Sequence, residues 1–302
     1  MNLIDINTMF PTEEKCRELL TRLRFPEGPR CLRCKAPVIE LETEKQLFYC
    51  KDCDYQFSVT AGTVFNDSHL PLVKWLTATL LLCEAKKGMS ACQIRRTLGI
   101  GSYKTAWYLC HRIRHAMAQT DKPMLDGKVE MDETYIGGKQ QGHENMKKSK
   151  EVVIGIRQRG GELRFFHAQD AKSGTLAKYI KENISTDVEV MFTDDWAAYP
   201  KAMMKSGIHG DRHETIRHKD RIYVDGDIHT NTVESAFSLL KRGIVGTWHR
   251  VSAKHLASYL EEMSFRFNRR KRSDLFLDTL RHMVTAPVLT FERLTAEKQP
   301  AA

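Results

Sequence analysis

Two groups of residues in this chain have the type and spacing to do chemistry: four paired cysteines, and carboxylates placed where strands or helices begin or end. Cys31-x-x-Cys34 and Cys50-x-x-Cys53, with fifteen residues between the pairs, fit two thiolate knuckles closing one tetrahedral zinc site. Four soft thiolates leave no open coordination position, so this zinc is expected to fold the segment and to perform no reaction. The carboxylates point to a harder ion. Asp132 follows the strand-like run Val129-Glu130-Met131, Asp194 and Asp195 close the apolar strand Val188–Phe192, and Glu234 lies in a helical stretch with Val233, Phe237, Leu240 and Ile244 on its buried side. Asn231 and Lys241 stand three residues before Glu234 and seven after it, offsets that place both near the same helix face. Phosphodiester cleavage needs a nucleophilic oxygen activated, a leaving oxygen stabilised and charge on phosphorus neutralised. Two magnesium or manganese ions on carboxylate ligands would meet all three needs, because these ions prefer oxygen donors.

The elements that must hold these residues follow from periodicity. A helix is expected behind Thr12 through Arg24, ended by Pro26 and Gly28. From Cys31 to Thr63 short β-prone pieces alternate with turn residues, a small ribbon that needs its metal staple. Between Leu70 and Met117 the texture is that of three helices, and the last two fit a helix-turn-helix: Ser90 caps the first, Gly99–Gly101 makes the turn, and Ser102 opens the second. On that second helix Ala106, Leu109, Ile113 and Met117 are expected to face the core, and Tyr103, Lys104, His111, Arg112, Arg114 and His115 to offer phosphate-capable or base-capable groups. Cys16, Cys83, Cys92 and Cys110 occupy apolar helical positions and are expected in cores. Beyond Pro123 strands are expected at KVEMDETYI, EVVIGIRQR, LRFFHA and VEVMFT, and helices at SGTLAKYIKENI and TVESAFSLLKRGI, the makings of one α/β layer structure. A linker near residues 118 to 127, a polar basic loop at GGKQQGHENMKKSK and a loose tail after Arg293 complete the plan.

The formal charge of +9 and a pI near 9.1 favour a polyanionic partner. The charge concentrates between Lys201 and Arg272, where 15 Lys or Arg face 8 Asp or Glu, ending in RFNRRKR. Arg242, Arg269 and Arg270, with Lys104, Arg112 and Arg114, are the expected contacts to DNA phosphates. Trp196, Trp248 and Tyr259 are candidates to stack on unpaired bases. No apolar run reaches bilayer length and no leader pattern opens the chain, so a cytoplasmic, nucleoid-associated protein is expected, with eight cysteines in a reducing compartment reading as zinc ligands and core residues.

Several long motifs taken in order, FPTEEKCRELLTRLRFPEGPRCLRC, FSVTAGTVFNDSHLPLVKW, VEMDETYIGGK, FTDDWAAY and VESAFSLLKRGIVGTWHRVSAKHLASYLEEMSFRFNRR, closely resemble bacterial insertion-sequence transposases of the ISXO type, which join an N-terminal zinc ribbon to an RNase H-like DDE core. The resemblance implies that Asp132 and Asp194 are metal-binding catalytic aspartates, that Glu234 holds the third acidic position, and that Lys241 is the trailing basic residue. Asp194 is preferred to Asp195 because it follows Thr193, as in the family's Thr-Asp pattern. Some members of the group use an asparagine as third ligand, which keeps Asn231 beside Glu234 as a candidate. Ala236-Phe237 stands where relatives often carry Phe-Trp, a difference of helix packing.

The expected fold class is therefore α+β and multidomain. Residues 1–66 form an N-terminal helix and zinc ribbon, 67–122 a helix-turn-helix-like domain, 123–285 an α/β RNase H-like catalytic domain, and 286–302 a C-terminal tail. The expected function is binding of double-stranded DNA at an element's ends, metal-dependent cleavage, and transfer of the freed 3′-hydroxyl to target DNA by a dimer or larger assembly. A nuclease that cuts without joining, a DNA-binding regulator descended from such an enzyme, and a zinc-ribbon scaffold for proteins are the competing expectations. His229 and His249 stand near the acidic motifs as site or packing residues.

Overall fold

The computed structural model describes residues 2–41, 46–118, 122–137, 150–216 and 229–296. In chain order its elements are α1 (Leu3–Met9), α2 (Glu13–Arg24), β1 (Ile39–Leu41), β2 (Leu47–Cys50), β3 (Tyr55–Phe57), α3 (Leu72–Glu84), α4 (Ala91–Thr97), α5 (Tyr103–Met117), β4 (Lys128–Ile136), β5 (Glu151–Gln158), β6 (Leu163–Ala168), α6 (Ser173–Asn183), β7 (Val190–Asp194), α7 (Ala198–Ser206), β8 (His213–Ile216), α8 (Asn231–Gly243), α9 (Ala253–Arg269), α10 (Leu275–Thr285) and α11 (Phe291–Thr295). They divide into two units, Met1–Ala118 with Arg269–Ala302, and Gln119–Asn268. The expected basic loop, residues 137–150, lies outside the described residues but for Gly137 and Lys150, as do residues 119–121 of the expected linker.

In the first unit β1, β2 and β3 form an antiparallel ribbon. Lys35 and Asp54, each directly after the second cysteine of a pair, both take positive φ (65 and 51), so the two knuckles turn alike. Phe48 is buried between Phe25 and Phe57, with ring centroids at 6.0 and 5.5 Å. In the helical part, the Ser90 side chain caps α4 by accepting from the backbone N–H of Gln93 at 3.2 Å, and Gly99, at φ 58, makes the turn that the sequence places there. Cys16, Cys83 and Cys110 are buried, whereas Cys92 is exposed on α4 and not in a core.

The C-terminal stretch does not follow its expected division. Helix α10, expected in the catalytic domain, packs with α2, α3 and α5 in the first unit, where Cys83 Sγ meets Thr279 Oγ1 at 3.2 Å and Thr79 Oγ1 donates to Met283 Sδ at 3.3 Å. The start of the expected C-terminal tail, ahead of Arg293, is anchored by Tyr108, whose hydroxyl donates to the Leu289 carbonyl at 2.5 Å, and by Phe291, which packs against Trp107 and Tyr108. Leu289 and Leu294 are buried. Short apolar helices after a basic run look like a tail in sequence because their partners lie some 180 residues earlier.

The second unit is a five-stranded sheet in the order β6-β5-β4-β7-β8. Strands β6, β5 and β4 pair antiparallel, and β7 and β8 lie parallel to β4. The sheet is covered on both faces, as its near-continuous apolar strands demand. Val129 and Met131 of β4, with Val152, Ile154 and Ile156 of β5, point to the side covered by α6 and α7. Ile136, Val153, Leu163 and Phe165 point to the other side, covered by α8 and α9 through Val233, Phe237, Leu240, Leu260 and Met263. This mixed sheet with helices on both faces is an RNase H-like core. Leu125, placed in the linker by sequence, belongs to this unit: it is buried, and exchanges backbone hydrogen bonds of 2.8 Å with Asn183 and Ser185. Among the described residues no helix is long and apolar enough to cross a membrane.

Candidate active site

The pairing of β4 with β7 ends at Glu130↔Phe192. Asp132 and Asp194 each stand two residues further, where the parallel strands part, at the carboxyl end of β7. There one carboxylate oxygen each from Asp132, Glu133 and Asp194 lies within 4.8 Å of the others. Burial pushes Asp132 up to about 8, and the charges of Glu133, Asp194 and Glu234 add to the rise against the backbone N–H of Glu133 that Asp132 accepts at 2.8 Å. Burial likewise pushes Glu133 up to about 7, opposed by the Tyr199 hydroxyl that donates to it at 2.6 Å. Mutually repelling carboxylates gathered out of water are relieved by a divalent cation, and their oxygens are the hard donors magnesium and manganese prefer.

Helix α8 brings Glu234 toward this cluster, close enough for its charge to act on Asp132. What permits the approach is Gly155, the residue paired with Asp132 across β4 and β5. A Cβ at that position would stand 2.7 Å from the Phe237 ring and 2.9 Å from Val233, so the bare backbone lets α8 lie against the sheet directly beside Asp132. Glu234 accepts a 2.8 Å hydrogen bond from the Thr230 hydroxyl. Asn231, at the first position of α8, is exposed, and so is Asp195. Lys241, seven residues after Glu234 and hence about 10 Å further along the helix axis, lines a separate cleft of about 380 Å³ with Tyr135, Gly137, His249 and Arg250. His249, which lines that cleft, has φ 59 and its Nδ1 lies 3.1 Å from the Val245 carbonyl.

Four residues of this unit that the sequence did not single out shape the site: Glu133, Tyr199, Glu130 and Arg159. Glu130 is buried beneath the N-terminus of α8, where Arg159 Nε donates to it at 2.8 Å and His229 Nδ1 lies 3.3 Å away. His229 is thus part of the polar group behind the acidic cluster, its Nδ1 also 3.1 Å from Arg159 Nη2. The only sequence signal for Glu130 was its i, i+2 relation to Asp132 on one strand face.

The zinc-ligand candidates converge. The four sulfurs lie within 4.8 Å of one another, with Cys31–Cys53 at 3.5 Å and Cys34–Cys50 at 3.4 Å. A tetrahedral zinc with bonds of about 2.3 Å needs sulfurs about 3.8 Å apart, so a small expansion accommodates the ion. The backbone N–H of Arg33 donates to Cys31 Sγ at 3.4 Å, support for a thiolate.

The expected DNA contacts divide. Lys104 is exposed, with its ammonium 4.2 Å from the centre of the Phe291 ring. Arg112 and Arg114 are 3% and 1% exposed and are corrected to interior residues. Arg112 donates to the Asn66 carbonyl and its guanidinium lies between Trp75 and Tyr108, at 5.0 and 5.1 Å. Arg112 turns inward because Asn66, just before α3, and Trp75, on it, stand against that side of α5. His111 is also buried, its ring 4.4 Å from that of Trp107. Arg242 and Arg270 are exposed, whereas Arg269 forms a 2.7 Å ion pair with Asp278. Trp196 is exposed, but Trp248 and Tyr259 are buried against each other, with centroids 4.8 Å apart, so these two are core aromatics.

Two family models match the chain. Residues 124–268 match the model of the ISXO2-like transposase domain, and residues 11–56 that of the transposase zinc-ribbon domain. The chain is also similar to an uncharacterised protein of the transposable element ISH50 of Halobacterium salinarum, 29% identical over 278 residues that span 85% of this chain and 91% of the relative.

Proposed function

The chain belongs to the insertion-sequence transposases, joining their zinc ribbon to an ISXO2-like transposase domain, and from that premise we propose that it binds the ends of its element and catalyses metal-dependent cleavage and strand transfer of DNA. The observation that carries the reading is the meeting of Asp132, Glu133 and Asp194 where β4 and β7 part; Glu234 on α8 lies outside that cluster, and its charge acts on Asp132. Asp132, Asp194 and Glu234 are the proposed ligands of magnesium or manganese, and Glu133 is a fourth carboxylate within reach. Glu234 is favoured over Asn231 because its charge already acts on Asp132, while the amide of Asn231 sits at the exposed first position of the helix.

When bound, the ions supply the positive charge that activates the attacking oxygen and stabilises the leaving one. The chain's own part is to hold the carboxylates rigidly. Asp132 stands in the middle of β4, paired with Gly155, and Asp194 at the end of β7, both within a covered sheet, and Tyr199 fixes Glu133 by its hydroxyl. Lys241 and Arg250, further along the same face of the domain, are placed to carry phosphates of the bound strand. In the first unit Lys104 at the start of α5 is the proposed helix-turn-helix contact, and the Cys31, Cys34, Cys50 and Cys53 zinc keeps the ribbon folded for DNA. Joining two ends needs two active sites, so the active assembly is a dimer or larger.

The test is cleavage and strand transfer on DNA carrying the element's ends, with magnesium or manganese. Native protein should join ends to target DNA, and Asp132→Ala and Asp194→Ala should bind the same DNA without cutting it. Cleavage that persists in both variants would overturn the assignment, and binding with no chemistry in the native protein would make the chain a regulator. Sedimentation of the synapsed complex should show at least two protomers, and one protomer per complex would refute the dimer.

A further inference from the structure

The strand and the helix that carry the proposed ligands are fastened together by one buried carboxylate. Glu130 lies two positions before Asp132 on β4, on the same face of the sheet, and is 0% exposed. Its Oε2 accepts the backbone N–H groups of Thr232 and Val233, both at 3.0 Å. These are the second and third residues of α8, whose N–H groups have no partner within the helix and are ordinarily satisfied by the side chain at the N-cap. The N-cap residue here, Thr230, makes no such bond. Its hydroxyl donates to Glu234 instead, at 2.8 Å. The cap comes from the strand, and the residue that would have supplied it holds the proposed ligand. A charge this deep is tolerable because Arg159 Nε meets Glu130 Oε1 at 2.8 Å and the positive end of α8 faces Oε2. Arg159 is fixed in turn: it donates to the His229 carbonyl at 2.8 Å and its guanidinium lies 4.1 Å from the centre of the Phe192 ring on β7.

We propose that Glu130 is a positioning residue for the metal site, capping α8 in place of Thr230 so that Thr230 orients Glu234 toward Asp132. The inference rests on the reading that Glu234 completes that site. Without the Glu130 carboxylate two helix N–H groups lose their acceptor, and the Thr230 oxygen is drawn back to the cap it has left. Glu234 then keeps its charge but not its aim.

The experiment is a double-mutant cycle read by manganese binding to the full-length, zinc-loaded chain, with free manganese followed by electron paramagnetic resonance. Glu130→Gln keeps the shape but has one acceptor oxygen where the carboxylate serves two sides, so an NH2 group must face either Arg159 or the N–H groups of Thr232 and Val233. It should weaken manganese binding about 10- to 100-fold, the usual cost of losing a partner behind a ligand. Glu234→Gln should weaken it comparably, and the double variant should bind about as Glu234→Gln does, because Glu130 acts only through Glu234. Native affinity in Glu130→Gln, or losses that multiply in the double variant, would overturn the proposal. Native affinity in Glu234→Gln would instead overturn the reading of Glu234 as a ligand, and the two failures are separate measurements. Should Glu130→Gln not fold, Thr230→Val leaves the strand-borne cap in place and takes over the test. It should weaken manganese binding in the native background and not in Glu234→Gln, and native affinity in Thr230→Val would refute the orienting role.

Discussion

Replacing Asp132 by Asn should make the protein more stable while destroying its proposed chemistry, provided that magnesium and manganese are withheld. The Asp132 carboxyl is raised to about 8 from 3.8, chiefly by burial and then by the charges around it. A group whose folded value is raised contributes stability that is fully present below its unfolded value and is lost as pH rises through the folded one. At pH 7 the unfolded chain has ionised this carboxyl and the folded chain has not, a gap of about three pH units, or about 4 kcal/mol at 1.36 kcal/mol per unit. Relaxation of the site and its coupling to Glu133 reduce this to about 2 kcal/mol. For a unit the size of Gln119–Asn268, that corresponds to about 4–8 °C in its melting temperature. Asn retains an oxygen to accept the Glu133 N–H, so the exchange removes charge and little else. The assay is calorimetry of the zinc-loaded, full-length chain in pH 7 buffer without added magnesium or manganese, repeated near pH 4. Asp132→Asn should melt higher at pH 7, and the advantage should shrink to below about 1 kcal/mol near pH 4, where the folded carboxyl is neutral and the unfolded one only about half ionised. Adding manganese should raise the native melting temperature and reverse the order. Equal or lower stability of the variant at pH 7, or an advantage that grows toward acid, would refute the picture of a carboxylate held at a cost for metal.

Gly155→Ala should destabilise the second unit by about 1–3 kcal/mol, the usual penalty of overpacking, because the new Cβ meets Phe237 at 2.7 Å; thermal melting checks this, and adding Phe237→Leu should recover part of the loss. Arg112→Ala should lower the stability of the first unit with little change in the salt dependence of DNA binding, whereas Lys104→Ala should flatten that salt dependence and leave melting unchanged. Burial lowers both His115 and His282 in the first unit, so the stability they contribute is present above about 6.5 and is lost as pH falls through that value; a His115→Gln/His282→Gln variant should lose less melting temperature than the native chain between pH 7.5 and pH 5.5. Removing zinc, or replacing Cys34 by Ser, should unfold the ribbon and abolish the single equivalent of zinc bound per chain, measured by atomic absorption and by backbone amide protection over residues 31–57.

What was legible in the sequence, and what was not, divides along the range of the interactions involved. The Cys31–Cys34 and Cys50–Cys53 knuckles, the Ser90 cap and the strand KVEMDETYI are written within a few residues, and the structure has them where the sequence puts them. The inward turn of Arg112 and Arg114 was not legible, because the strip of α5 that carries them is polar on inspection, and Arg112 becomes interior only where Asn66 and Trp75, from much earlier in the chain, meet it. The same limit governs the acidic cluster. Each of Asp132, Asp194 and Glu234 is marked locally by a strand or a helix face, but nothing near them in sequence says what sets their spacing. That is decided by a missing side chain at Gly155, which admits α8, and by the carboxylate of Glu130, which takes the helix by its first N–H groups. Read as sequence, Glu130 is one more acid in an acidic motif, and a charged residue at the centre of an apolar strand is a poor guess for the interior. It is interior because its cost is met by three partners that the chain supplies from residues 159, 232 and 233. The ligands are therefore a local pattern, while the geometry that makes them a site belongs to the pairs of elements that no local pattern joins.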